Sequence, residues 1–477
     1  MRHRSLLLAL ALLAIMASSA LAATEVSMSG DARVYGVFLA NRNFTGWNAA
    51  GNAREEKFEI WQRIRLRMDF AANENLKFRF GARVNDETWG HGTLTAANPQ
   101  PAIEPYLAYL QFKWPDTNIE ITAGYQPFSV PHSEAFYDSI VLAADDGDQA
   151  SAALFVKMPI IEDALTIEAA YARLLAANQT FQATDTKVAS DFDVYRLAVP
   201  VAIEGFEFTP WGLVGVYGKL SDPDGLFNNG LRSGGSYLSE TPYRYNQNAM
   251  FWTGIAATVS AMDPVKVYFD AIYGDAGSGD RARNRRHGYF FDAAVTYTGL
   301  DWATPGLYGW LGSGEDSSLT NGSERLPVIT PKWGAATSFL FDCDQDFGNN
   351  SMGIDPTGTI GGALAFKDIS FIERLKSRIS LAMIAGRNSQ AGLRKARVAA
   401  ASAGVDDYVQ MGRTLADGEW VLGVSFDHSY NIYENLSLNL QSGFAAPQGL
   451  KTSIWGHTNT HRADNAWMAS LGLLYSF

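Results

Sequence analysis

The final twelve residues of the chain alternate between large apolar side chains and small or mixed ones. One parity carries Trp467, Ala469, Leu471, Leu473, Tyr475 and Phe477. A period of two is typical of a β-strand and not of a helix. The same alternation recurs along the chain, for example in residues 60–70, 119–125 and 265–273. The pattern therefore predicts a protein built of strands, each with one apolar face.

The connectors between these segments alternate in length. Short ones, such as residues 71–75 and 261–264, are followed by long polar ones, such as residues 127–149 and 312–358. Outer-membrane barrels have this rhythm, with tight periplasmic turns and long external loops. The connectors predict an all-β fold, a closed antiparallel transmembrane β-barrel of about 18 strands. The count falls to about 16 if the weak pair formed by residues 206–217 and 250–259 is misread.

Two connectors are interpreted as carrying short helices. Residues 392–403, rich in alanine, arginine and lysine, predict a helix in an external loop. Residues 371–376 predict a single helical turn at a periplasmic bend.

Composition favours a barrel over a bundle of membrane helices. Hydrophobic residues make up 47% and charged residues 18%, and the mean hydropathy is −0.09. A barrel tolerates this polarity because only the outward half of each strand has to be apolar. The net charge of −12 argues against nucleic acid as a partner. The single cysteine, Cys343, excludes an internal disulfide.

The first 22 residues have the features of a secretory signal peptide. Arg2 and Arg4 precede an uncharged apolar run at residues 6–16, and Ala20 and Ala22 frame a cleavage site. We therefore expect a mature protein of one barrel domain, residues 23–477. Export and strand-rich sequence together predict localisation in the bacterial outer membrane.

Arginines line one face of three neighbouring predicted strands. In residues 56–70 one parity carries Ile60, Ile64, Leu66, Met68 and Phe70, and the other carries Arg63, Arg65, Arg67 and Asp69. On the lipid side near the midplane each arginine would cost about 2–4 kcal/mol, whereas a water-filled lumen removes that cost. The pattern predicts a basic pore wall formed by Arg33, Arg63, Arg65, Arg67, Arg79 and Arg83.

The chain resembles the general porins of Gram-negative outer membranes in its rhythm, its third long connector and its C-terminus. In that family the loop after the fifth strand folds into the barrel, and its carboxylates face an arginine ladder. The resemblance implies an acidic side of the constriction formed by Glu134, Asp138, Asp145, Asp146 and Asp148. The C-terminal pattern is similar to the signal read by the barrel-assembly machinery, with Ser470, Gly472, Tyr475 and Phe477 at its defining positions.

Residues 304–307 and 321–327 resemble a narrower group, the homotrimeric porins of Desulfovibrio-type sulfate-reducing bacteria. A homotrimer is implied by that resemblance. The function expected for such a barrel is passive diffusion of small hydrophilic solutes and ions through a water-filled channel. The alternative is a channel selective for one solute class, such as phosphate, sulfate or a sugar. An outer-membrane barrel enzyme or a plugged structural barrel is a further alternative.

Two loop motifs suggest ligands. Asp342, Asp344 and Asp346 alternate, and oxygen ligands at this spacing can bind structural Ca²⁺. Residues 281–287 concentrate arginines that could bind the phosphates of lipopolysaccharide, besides the membrane lipid expected around any barrel. No other cofactor is expected. No nucleophile–base–acid arrangement is apparent in the sequence, so we expect the protein not to be an enzyme.

Overall fold

The structure is a computed structural model of the 477-residue chain. It describes residues 24–44, 56–90, 102–144, 150–176, 191–217, 248–276, 285–318, 320–341, 351–402, 413–450 and 463–477. The predicted signal peptide lies outside the described residues.

Nineteen strand segments alternate with turns and loops along the described chain. They are β1 (Glu25–Ala40), β2 (Glu56–Asn73), β3 (Leu76–Thr88), β4 (Glu104–Lys113), β5 (Glu120–Pro127), β6 (Ala150–Ile161), β7 (Leu165–Ala176), β8 (Asp191–Ala198), β9 (Val201–Ile203), β10 (Phe206–Tyr217), β11 (Asn248–Met262), β12 (Val265–Ala276), β13 (Arg286–Tyr297), β14 (Thr304–Gly312), β15 (Thr359–Ile369), β16 (Leu375–Gly386), β17 (Trp420–Tyr433), β18 (Leu436–Gln448) and β19 (Ala466–Ser476).

Segments β8 and β9 form one spanning strand. Both pair with β10 on one side and with β7 on the other. They are separated only by Val199 and Pro200, and Pro200 has no backbone N–H to give to the ladder. The barrel therefore has eighteen spanning strands, as the connector rhythm predicts, and the segments over 206–217 and 248–262 are a true pair.

Each strand pairs antiparallel with its neighbour in sequence, and the last pairs with the first. The register of β1 with β19 runs from Asp31 opposite Ser476 to Ala40 opposite Trp467. Gly30 and Phe477 exchange two backbone hydrogen bonds at its end, of 2.8 and 3.0 Å. This closure confirms the predicted closed antiparallel barrel and leaves the sheet without an unpaired edge.

Alternate residues of each strand face opposite sides of the barrel wall. In β19, Trp467, Leu471 and Leu473 are 43–53% exposed, whereas Met468 and Ser470 between them are only 3% and 2% exposed. The exposed parity of the other strands is also apolar, as in Phe58, Leu154, Phe251, Phe269, Leu307, Leu381 and Phe426. An apolar outer band is the surface that a barrel presents to lipid.

One helix is present among the described residues, α1 (Gln390–Ser402), in the long connection between β16 and β17. It confirms the helix predicted for residues 392–403. The helical turn predicted for residues 371–376 is wrong, because this segment is a plain turn and β16 begins at Leu375. In the part of the chain that the structure describes, no helix is long and apolar enough to cross a membrane.

The buried core lies inside the barrel. Two long connections fold inward, and we call their described parts loop 3 (residues 128–144) and loop 7 (residues 313–318, 320–341 and 351–358). Phe128, Phe136 and Val141 of loop 3 are at most 3% exposed, as are Leu326, Trp333 and Phe341 of loop 7. The lumen is therefore partly filled by apolar loop residues packed against the inner wall.

Candidate functional site

The six predicted wall arginines share the inner face of β1, β2 and β3. Arg33 lies directly opposite Arg63, and Arg65 lies directly opposite both Asp31 and Arg83. The apolar residues between them face outward, so the strand period alone separates the charges from the lipid side. The structure thus brings all six arginines onto one continuous sector of the lumen.

Neighbouring polar groups fix the direction of these side chains. Arg65 Nε lies 2.7 Å from Asp31 Oδ1, and Arg79 Nε lies 2.6 Å from Asp69 Oδ1. Arg67 Nε donates a hydrogen bond of 2.9 Å to the hydroxyl of Tyr106. The planar guanidinium suits such paired contacts, which leave further N–H groups for other partners.

Burial varies along this arginine sector. Arg33 and Arg63, midway along their strands, are each only 3% exposed. Arg79, nearer the short turns, keeps 31% of its side-chain surface exposed. Exposure of the arginine side chains therefore rises from Arg33 and Arg63 toward the short-turn end of the sector.

Loop 3 crosses the lumen from β5 and binds the inner face of β12. The backbone N–H of Ser133 lies 3.0 Å from both carboxylate oxygens of Asp270, and its hydroxyl donates to Oδ2 at 2.6 Å. In a ring of eighteen strands, β12 lies nine strands on from β2, halfway round the barrel. Loop 3 is therefore fixed to the wall that faces the arginines.

Loop 7 covers the neighbouring part of the same wall, from β13 to β17. Trp333 donates its indole N–H to Asp292 on β13, at 2.7 Å. Ser338 donates to Asp427 on β17 at 2.6 Å, and Asp427 also pairs with Arg378 of β16. Like Asp270, Asp292 and Asp427 are nearly enclosed, and each of the three accepts at least one hydrogen bond from a loop residue.

The two loops also bind each other. The backbone N–H of Ile329 donates to Val141 at 2.8 Å, and that of Ala143 donates to Thr330 at 3.0 Å. The ring of Trp333 stacks on Phe136 of loop 3 with centroids 5.4 Å apart. Both loops therefore form one packed layer on the inner wall.

A cavity of about 450 Å³ lies between this layer and the wall of β3 and β4, and Arg83 is the residue of the arginine sector that borders it. Arg83, Glu104 and Tyr106 line one side of it. Leu142 and Ala143 of loop 3 and Ile329 and Thr330 of loop 7 line the other. The gap between the arginines and the loop layer is the candidate functional site.

The predicted acidic residues of loop 3 have different environments. Glu134 is exposed, whereas Asp138 is 5% exposed and accepts hydrogen bonds from the backbone N–H groups of Ser139 and Ala144. Asp138 thus holds the shape of its own loop. Asp145, Asp146 and Asp148 lie outside the described residues, so an acidic face opposite the arginines stays a prediction.

The other predicted sites are placed as follows. The candidate calcium ligands Asp342, Asp344 and Asp346 lie outside the described residues. Of the C-terminal pattern, Ser470 and Gly472 face the lumen, whereas Tyr475 and Phe477 face outward with their rings stacked 5.7 Å apart. In the basic loop segment, Arg285 pairs with Asp275, and Arg286 is fully buried within β13.

Sequence reasoning missed the three aspartates that hold the loops, Asp270, Asp292 and Asp427. A signal for them exists, because each occupies the inner parity of a strand whose outer parity is apolar. Sequence reasoning also missed the inward folding of loop 7. The apolar residues of loop 7, from Leu326 to Phe341, are unusual for an external loop and indicate that the segment is buried.

Comparison with known proteins gives a fold but no family. No family description matches the sequence, and no curated protein matches it. Crystal structures of three Pseudomonas aeruginosa proteins are similar: OccK11 (OpdR), OccK8 (OprE) and the outer membrane protein OprD. Each has a TM-score of 0.51, with 11%, 11% and 9% sequence identity. The matches cover 95–96% of this chain and 95–98% of theirs. The chain therefore has the fold of these barrels over nearly its whole length.

Proposed function

We propose that this protein is an outer-membrane porin, a water-filled channel for passive diffusion of small hydrophilic solutes and ions. The observation that carries the proposal is the sorting of side chains across the wall. All six arginines of β1–β3 face the lumen, and the outer parity of the same strands is apolar. Such sorting makes sense when one side meets lipid and the other meets water and solutes.

In this proposal, the space between the arginine sector and the two inward-folded loops acts as the filter. Solutes pass between the arginine sector and the layer formed by loops 3 and 7. The gap selects by size, and the arginines attract anionic groups and orient polar solutes. Any carboxylates of loop 3 that face the arginines, as predicted from Glu134, Asp138, Asp145, Asp146 and Asp148, would add a transverse field.

Planar-bilayer recording of the purified protein tests this function. We expect stepwise, ohmic openings in KCl. Absence of conductance from protein that is correctly folded by circular dichroism would favour a plugged structural barrel instead.

A channel selective for one solute class is the second candidate. The inward folding of two loops favours it, because an open diffusion pore has no need of a second covering loop. Conductance or uptake that saturates with one solute distinguishes it from a general porin.

The cellular setting is proposed from sequence. Residues 1–22 serve as a cleaved signal peptide, and Ser470, Gly472, Tyr475 and Phe477 are read by the barrel-assembly machinery. Sequencing of the mature N-terminus tests cleavage of the signal peptide. The amount of protein in the outer-membrane fraction tests recognition by the assembly machinery. Lipopolysaccharide is a partner through the basic segment at residues 281–287, and membrane lipid surrounds the outer band.

The finer resemblance to Desulfovibrio-type porins implies a homotrimer. Chemical cross-linking in mild detergent should then give a species of three chains. In planar bilayers, channel openings should appear in groups of three. Structural Ca²⁺ at Asp342, Asp344 and Asp346 is tested by calcium titration of Asp344→Ala beside the parent. If the protein is not an enzyme, substitution of a histidine should not change any lipid or peptide hydrolysis measured in the purified preparation.

A further inference from the structure

A second polar sector lies on the lumen face of β4–β7, beside the arginine sector. Lys113 lies directly opposite Glu120, Glu120 opposite Lys157, and Lys157 opposite Glu168. Four neighbouring strands thus carry alternating positive and negative charges at one level of the barrel. We call these four residues the alternating row.

The two glutamates of the alternating row bind residues outside the row. Glu120 accepts a hydrogen bond of 2.5 Å from the amide of Gln111, and Glu168 pairs with Arg196 at 3.0 Å. Within the described parts of the chain, no ion pair within 4 Å joins two members of the row. Lys157 is exposed and has no ionic partner among those residues.

A cavity of about 330 Å³ lies against this row. Glu120, Lys157 and Glu168 line it, together with the polar side chains of Gln111 and Thr122. Arg196, at its edge, is occupied by structural contacts. Its guanidinium donates to the carbonyl of Ser129 at 2.7 Å and lies over the ring of Phe155.

We propose that this cavity binds a small zwitterion, such as an α-amino acid, on its way through the channel. The carboxylate of the solute binds the ammonium of Lys157, and its ammonium binds the carboxylate of Glu120. The reason is charge balance: the row has no net charge, so it offers no general attraction to an anion or a cation. A molecule that carries both charges can bind both strands at once.

The inference rests on the proposed channel function and names a solute class for it. Its test uses proteoliposomes containing the full-length mature protein. Initial uptake of L-alanine is measured against concentration, with propionate and ethylamine as analogues that carry only one of the two charges. We expect L-alanine uptake to saturate and uptake of both analogues to rise linearly.

Single substitutions locate the site. Lys157→Gln and Glu120→Gln should each raise the half-saturating L-alanine concentration about two- to fivefold, the range expected for loss of one partly exposed ion pair. Conductance in KCl should change little. Lys266→Gln is the matched control, because Lys266 faces the lumen from β12 and lies outside this cavity.

The exchange Glu120→Lys with Lys157→Glu gives a second readout. A zwitterion can bind the exchanged pair in the reversed direction, so saturation should return relative to either single charge reversal. Linear L-alanine uptake by a parent protein that conducts KCl would overturn the site and leave the channel standing. Equal saturation by propionate would also overturn it, since one charge would then suffice. Absence of KCl conductance would instead overturn the channel itself.

Discussion

The two opposite walls of the lumen are built in different ways. The wall of β1–β3 presents six arginines held by neighbours such as Asp31 and Asp69 on the same strands. The wall of β12–β17 presents buried aspartates that accept hydrogen bonds from two long loops. On the first wall the described ion pairs join neighbouring strands, whereas on the second the aspartates bind residues of loops that are remote in sequence.

This difference separates the residues that hold the loops from the residues that give the lumen its positive charge. On the arginine wall, Asp31, Asp69 and Glu104 of neighbouring strands pair with Arg65, Arg79 and Arg83. On the opposite wall an unpartnered buried carboxylate would be costly, and that cost fixes the loops in place. The width of the gap is therefore set on the loop side and its charge on the arginine side.

The largest effect is expected from filling the space under loop 7. A Cβ at Gly443, on the inner face of β18, would overlap Cβ and Cγ of Phe339. Gly443→Val should therefore displace loop 7 and at least double the single-channel conductance. The matched control is Gly212→Val on the outer face of β10, where the nearest atom to a new Cβ is 3.9 Å away. Unchanged conductance in Gly443→Val would contradict the packed loop layer.

Loss of an anchoring carboxylate should have the next largest effect. Asp270→Ala leaves the N–H and hydroxyl of Ser133 without their acceptor, at a cost of about 1–3 kcal/mol for such a buried group. We expect larger and noisier conductance, measured in planar bilayers, and a lower apparent Tm. Ser133→Ala removes only one of the donors and should give a smaller change in the same direction. If Asp270→Ala conducts like the parent, this carboxylate does not hold loop 3 in place.

The arginine wall should control charge selectivity with little effect on pore width. Replacement of Arg63, Arg65 and Arg67 by serine should shift the reversal potential in a KCl gradient toward cations. The shift should shrink at 1 M salt, where the Debye length falls to about 3 Å. The control is Arg374→Ser in the short turn before β16, where this exposed side chain lies 3.9 Å from Glu373 and away from the arginine sector. An unaltered reversal potential would remove these arginines from the conduction path.

The smallest effect concerns pH and loop 7. Burial raises the pKa of Glu324, and Glu315 and Asp316 nearby add to the rise, although the backbone N–H of Asp316 donates to its carboxylate. Because the pKa of Glu324 is higher in the folded protein than in the unfolded chain, the folded state favours the protonated carboxyl. Its contribution to stability is therefore fully present at pH values below the unfolded pKa. That stability is lost as pH rises through the folded pKa. The apparent Tm should therefore fall slightly from pH 4 to pH 7 in the parent and less in Glu324→Gln. An equal fall in both would assign the pH dependence to other groups.

Much of the fold could be predicted from the sequence because a barrel wall obeys a local rule. Each strand must face lipid with one parity, so residues such as Leu471 and Ser470 reveal their sides without knowledge of distant contacts. The same rule placed all six arginines together, since β1, β2 and β3 are consecutive and pair with their sequence neighbours. The strand count followed from connector lengths, and only the break at Pro200 was invisible.

The loops could not be predicted in this way, because their partners are remote in sequence. Ser133 binds Asp270 and Ser338 binds Asp427 across separations of 137 and 89 residues. Nothing local distinguishes an aspartate that anchors a loop from one that meets water. The sequence by itself determined the wall, its two faces and the arginine sector, since a strand period of two is enforced residue by residue. Only the tertiary structure decided how far the lumen is filled, because that depends on which buried carboxylates capture which loop donors.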